Sequence, residues 1–260
     1  MDHRRDRPAA RRGQGLLTRR TLWREAAALR EYRALRRDPI FAGEGVPDGE
    51  GRPVMLIPGF LTADNTMTTM AGWLRRAGWH PLHSGFRLNL GCAERTAGPM
   101  ERRLEALVER EGGPVALIGH SRGGHFARVL AVRRPDLVSG IVTLATPPLN
   151  PDAIHRLVAA PTVGVALLGT LGVPGLMRVS CFLGACCEQF RHDLHAPFPD
   201  GVAFVAVYSR LDGIVDWRLL YERAAMRVEV DATHLGIVVN PEAYRHVSDA
   251  LRFITYRSSD

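Results

Sequence analysis

Pro114-Val115-Ala116-Leu117-Ile118-Gly119-His120-Ser121-Arg122-Gly123-Gly124-His125-Phe126-Ala127-Arg128-Val129-Leu130-Ala131 is the stretch that decides how this chain folds. The apolar run Pro114 to Ile118 reads as a buried strand, and His125 to Ala131 carries its apolar residues at helical spacing. Between them, glycines two before and two after Ser121 leave room for a sharp strand-to-helix turn. Such a turn holds the Ser121 hydroxyl clear of the sheet, at the N-terminus of the next helix. A nucleophile there can meet a substrate carbonyl.

Working outward, strands and helices alternate from Arg52 onward, and that order implies a parallel sheet with helices on both faces. Strands are expected at Pro53 to Ile57, Trp79 to His83, Val115 to Ile118, Gly140 to Leu144, Val202 to Tyr208 and Arg227 to Val230. Helices are expected at Met67 to Ala77, Met100 to Glu111 and Pro241 to Ile254, the last with Pro241 in its first turn. The fold class is therefore α/β, with a mostly parallel sheet of about six strands.

One stretch breaks the rhythm. From Pro147 to Pro199 no alternation is visible, which marks an insertion (147–199) of about 50 residues between two strands. Its centre, Leu157 to Met177, carries no charge and is long enough to span a bilayer. Pro161, Pro174 and four glycines, together with the position inside one sheet, argue for an apolar lid of two short helices broken at the prolines.

Composition adds the rest. At 260 residues, with 46% apolar, the chain fits one large domain (51–260) behind an Arg-rich extension (1–50). All 34 basic residues are arginine, and residues 1–40 hold 12 of them against 5 acids, so the formal net charge of +7 resides in that head. Leu16 to Arg37 reads as a helix with Leu22, Ala26, Leu29, Tyr32 and Leu35 on one side, suited to packing on the body. No nucleic-acid motif accompanies the charge, which leaves weak contact with a membrane surface as the head's other use. Thr18-Arg19-Arg20-Thr21-Leu22-Trp23 has the twin arginines of an export signal but is followed by a charged stretch. With four cysteines only, and two of them adjacent, no disulfide framework is expected. These features point to a cytoplasmic protein with reduced thiols.

A serine needs an imidazole to take its proton and a carboxylate to orient that imidazole. After the strand ending at Tyr208 comes Ser209-Arg210-Leu211-Asp212-Gly213-Ile214-Val215-Asp216, which puts Asp212 at a strand's C-terminal end as the acid, with Asp216 the runner-up. After the strand ending at Val230 comes Asp231-Ala232-Thr233-His234-Leu235-Gly236, which makes His234 the base. Two backbone N–H groups must meet the developing oxyanion. Arg122 supplies one, and the turn Ile57-Pro58-Gly59-Phe60-Leu61 the other, from Phe60 first and Leu61 second. His192 and His195, with Asp193, Cys186 and Cys187 nearby, match no known ligand spacing, so no metal and no cofactor is expected.

Pro58-Gly59-Phe60, Gly119 to Gly124, Ser209 to Val215 and Thr233 to Gly236 together resemble the α/β-hydrolase superfamily, and more closely its bacterial lipase-like and esterase-like branch. Arg87-Leu88-Asn89-Leu90-Gly91 is similar to a loop of that branch. The resemblance covers about residues 50–256. It implies a serine hydrolase with Ser121, Asp212 and His234 as its triad and a small-molecule ester, thioester or lipid as substrate. It departs from the branch in carrying Asp216 where proline is common, and Arg122 where a small or apolar residue is common. That arginine is expected to set a cation at the pocket mouth. An acyltransferase with the same triad, and a non-catalytic membrane-surface binding module, stay open at this point.

Overall fold

The computed structural model describes residues 23–147, 156–219 and 222–257. Six strands, β1 (Pro53–Ile57), β2 (His80–His83), β3 (Val115–His120), β4 (Val138–Leu144), β5 (Ala203–Tyr208) and β6 (Met226–Glu229), form one sheet in the order β2-β1-β3-β4-β5-β6. Every pairing is parallel. The helices are α1 (Ala28–Leu35), α2 (Thr68–Arg76), α3 (Ala93–Glu111), α4 (Arg122–Arg133), α5 (Arg156–Thr170), α6 (Ser180–Leu183), α7 (Glu188–His195) and α8 (Pro241–Arg257).

The four inner strands are largely apolar because both faces of the sheet are covered there, whereas the edge strands β2 (His80-Pro81-Leu82-His83) and β6 (Met226-Arg227-Val228-Glu229) are half polar. In β1, Val54 and Leu56 enter one core with Leu35 of α1, Trp73 of α2 and Tyr244 of α8. Met55 and Ile57, one residue out of phase, enter the opposite core with Leu104 of α3, Phe126 of α4 and Phe190 of α7. Pro81 is tolerated in β2 because that strand is an edge, paired with β1 alone. The chain leaves β1 toward β2 on one side and meets β3 on the other. The crevice at that reversal, at the strands' C-terminal ends, is where open sheets of this kind hold their sites.

Three expectations change in detail. The helix expected from Met100 starts at Ala93 and runs past Pro99, with Ala97 and Met100 both buried. The insertion was expected to break at both prolines, yet α5 runs through Pro161 and only Pro174 lies in a turn. One missing N–H near a helix start costs less than the break that the sequence suggested. The described part of the expected 16–37 helix is a 3₁₀ turn (Trp23–Ala27) followed by α1; Leu35 is buried, while Leu29 is exposed. The residues before 23, with most of the arginine-rich head, lie outside the described residues.

The insertion has two characters. Its second half is fastened down: Arg133 of α4 donates to Asp193 of α7 as well as to Glu94 and Glu101 of α3. Arg128 donates to the carbonyls of Asp193 and Ala196. Its first half instead exposes Val163, Leu167, Leu168 and Leu171. No described helix is long and apolar enough to cross a membrane.

Candidate active site

Ser121 sits between β3 and α4 with φ +50° and ψ −123°, a conformation that costs a non-glycine residue about 1–3 kcal/mol. The flanking glycines make it affordable sterically by close approach. A Cβ on Gly119 would come within 2.6 Å of the Gly123 backbone, and one on Gly123 would run into the carbonyl of Ile57. The Ser121 hydroxyl lies 3.1 Å from His234 Nε2, and His234 Nδ1 lies 2.8 Å from Asp212 Oδ2. Since a carboxylate only accepts, Nδ1 carries the proton and Nε2 is free to accept from Ser121.

Asp212 is buried, and its other oxygen accepts from the backbone N–H groups of Ile214 and Val215, both at 2.8 Å. Asp216 is also buried but turns away: its oxygen accepts from Arg218. The geometry therefore brings Asp212, and not Asp216, to His234. Ser209 ties the two loops together, its hydroxyl accepting from Leu211 N–H and Ala232 N–H.

His120 packs beside the pair, its ring 5.1 Å from that of His234. Burial drives its pKa down to about 3. Being neutral, it donates from Nε2 to the His234 carbonyl at 3.0 Å and holds that loop without adding a charge.

At the turn after β1, the Leu61 N–H is engaged by the Asn89 carbonyl, whereas the Phe60 N–H has no acceptor among the described residues. The Arg122 N–H is at the first position of α4 and lacks an intrahelical acceptor. The Arg122 side chain departs from expectation. Its guanidinium does not stand free at a pocket mouth but donates to the Asn89 carbonyl, Asn89 Oδ1 and the Gly91 carbonyl, and lies over Phe60 and Phe126.

Compared by sequence, the chain matches no protein-family model and no curated protein. Compared by structure, it is similar to a monoglyceride lipase from Saccharomyces cerevisiae at 14% identity and TM-score 0.56, over 82% of this chain and 90% of that one. It is similar to the Bacillus licheniformis lipase BlEst2 at 14% identity and TM-score 0.56, over 80% and 94%. A third likeness, at 17% identity and TM-score 0.52 over 81% and 93%, is to a putative aryl esterase from Burkholderia cenocepacia. The chain has the α/β-hydrolase fold.

Within this fold, sequence reasoning missed residues that organise the site from a distance. Glu25 accepts from the backbone N–H groups of Gly213, His234 and Leu235, at 2.9, 3.1 and 2.8 Å. One carboxylate thus bridges the loop bearing Asp212 and the loop bearing His234. Glu31 of α1 accepts from Thr233 N–H and Oγ1 and from Asn240 Nδ2. Both acids were read only as charges on an N-terminal helix, because nothing local marks a contact 188 to 210 residues away. Asn89 does the same for the turn after β1: buried, it donates to the Pro58 carbonyl and accepts from Arg122. Its place in the Arg87 to Gly91 loop was the one available signal.

Proposed function

We propose that this chain is a serine hydrolase that cleaves carboxylic esters with hydrophobic acyl groups through an acyl-enzyme. The observation that carries the reading is the continuous relay Ser121 Oγ, His234 Nε2, His234 Nδ1, Asp212 Oδ2, with contacts of 3.1 and 2.8 Å. His234 takes the Ser121 proton as Oγ bonds to the substrate carbonyl carbon, and the oxyanion is met by the N–H groups of Phe60 and Arg122. The tetrahedral species collapses, the ester C–O bond breaks, and His234 returns the proton to the departing alcohol. Water then repeats the cycle: His234 deprotonates it, its oxygen bonds to the acyl carbon, and Ser121 leaves with the proton.

A rim of exposed leucines supports the acyl preference. Leu61, Leu211 and Leu235 are the sequence neighbours of Phe60, Asp212 and His234 and are each more than two-fifths exposed. Such a rim favours an apolar ligand over a sugar or a peptide. The insertion's first half acts as the lid, and the enzyme works in the cytoplasm on a small molecule. The test is a panel of nitrophenyl esters of increasing acyl length: turnover should rise with length and vanish in Ser121→Ala. Wild-type hydrolysis no faster than that of Ser121→Ala across the panel would overturn the reading in favour of a binding module.

A further inference from the structure

The chain has four cysteines, and all four converge on one place outside the proposed triad. The sulfurs of Cys92, Cys181, Cys186 and Cys187 lie within 4.8 Å of one another. Three of the six edges are 3.3 Å for Cys92–Cys187, 3.5 Å for Cys181–Cys186 and 3.9 Å for Cys186–Cys187. A tetrahedral zinc ion bound at about 2.3 Å by four thiolates has sulfur–sulfur edges of about 3.8 Å, near the middle of that range. We propose that Cys92, Cys181, Cys186 and Cys187 are the ligands of a structural divalent cation of the zinc class, which fastens the insertion to the body beside the nucleophile turn.

Three features of the surroundings suit a thiolate cluster. First, the sulfurs have backbone donors. Arg178 N–H reaches Cys181 Sγ at 3.3 Å, and the backbones of Arg95 and Glu94 hydrogen-bond Cys92 and Cys187. Such N–H groups stabilise sulfur-borne charge and orient the ligands. Second, Cys92 and Cys187 occupy the N-cap positions of α3 and α7, where the helix ends favour negative charge. Third, a compensating cation stands close by. Arg122 makes all three of its side-chain hydrogen bonds to neutral oxygens and has no carboxylate partner among the described residues. One of those oxygens belongs to Gly91, the residue before Cys92, and the Arg122 charge feels the sulfurs of Cys187, Cys181 and Cys92.

Binding replaces four S–H protons, which pass to solvent, and leaves a net charge of −2 that Arg122 partly offsets. Spacing alone gave no hint of the site, since Cys92 and Cys187 are 95 residues apart and two ligands are adjacent in sequence. The rival for the same geometry is a pair of disulfides, Cys92–Cys187 and Cys181–Cys186. Each would pull two sulfurs to about 2.05 Å and bind no metal.

The experiment uses the full chain, untagged, purified without chelators, with metal measured by plasma mass spectrometry and thiols counted in denaturant. One zinc per chain should be found, released by an organomercurial as four thiols are titrated. Replacement of zinc by cobalt should give the intense visible absorption of a tetrahedral thiolate site, and Cys181→Ser with Cys186→Ser should lose the metal. Because those variants can misfold, the reduced wild type is also titrated with zinc against a competing chelator. Failure to take up one equivalent there overturns the proposal, as does an intact mass lower by four hydrogens with no metal bound.

Discussion

At the residue scale, the decisive distinction is between two aspartates four positions apart. Both are buried, so burial does not separate them; their partners do. Asp212 meets His234 Nδ1 and two backbone N–H groups, and Asp216 meets Arg218. Asp212→Asn should lower kcat about 10⁴-fold by presenting the wrong imidazole tautomer, while Asp216→Asn stays within a few-fold of wild type. Steady-state ester hydrolysis checks both, and equal losses would contradict the assignment. The glycines are as specific: Gly123→Ala drives a methyl into the Ile57 carbonyl and should leave little folded protein, measured by thermal melting.

At the element scale, the site is assembled from loops that the N-terminal segment holds together. The 3₁₀ turn and α1 bring Glu25 and Glu31 onto the loops of Asp212 and His234. Hydrogen bonds to a charged group contribute about 1.5–3 kcal/mol each. Glu25→Ala should therefore cost about 3 kcal/mol of stability and lower kcat at least tenfold, with Glu25→Gln intermediate. Denaturant unfolding and kinetics on the same samples measure this; unchanged kcat in a folded Glu25→Ala would show that the bridge is idle.

The strands and the sharp turn at Ser121 were legible in the sequence because they follow local rules. A buried parallel strand reads as a continuous apolar run, and a nucleophile between tight glycines reads as a turn. The N-terminal bridge and the cysteine cluster were not legible. They depend on contacts between distant segments, for which Glu25 and Cys92 carry no local mark. The course of α5 through Pro161 was misread because a proline near a helix start costs one N–H without ending the helix.

At the scale of the whole molecule, two neutral histidines, His120 buried and His125 partly buried, tie stability to pH. His120 is depressed to about 3 and His125 to about 4, in both cases chiefly by burial, from an ordinary value of 6.5. Above 6.5 neither the folded nor the unfolded chain protonates them. As pH falls below 6.5, the unfolded chain takes up protons that the folded chain refuses until about 4 and then 3. Stability is thus lost with falling pH across that window, by about 1 kcal/mol per pH unit for each histidine. Melting temperatures from pH 7 to 4.5 should fall steadily, and His125→Gln should flatten the slope; an unchanged slope would contradict the depressed pKa of His125.

The central claim is that Ser121, activated by His234 and Asp212, is an acylating nucleophile. The most direct test is peptide mapping after treatment of the folded chain with a fluorophosphonate. The account predicts one adduct, on Ser121, absent from Ser121→Ala and strongly slowed in His234→Ala. Labelling elsewhere, or none on folded wild type, would contradict it.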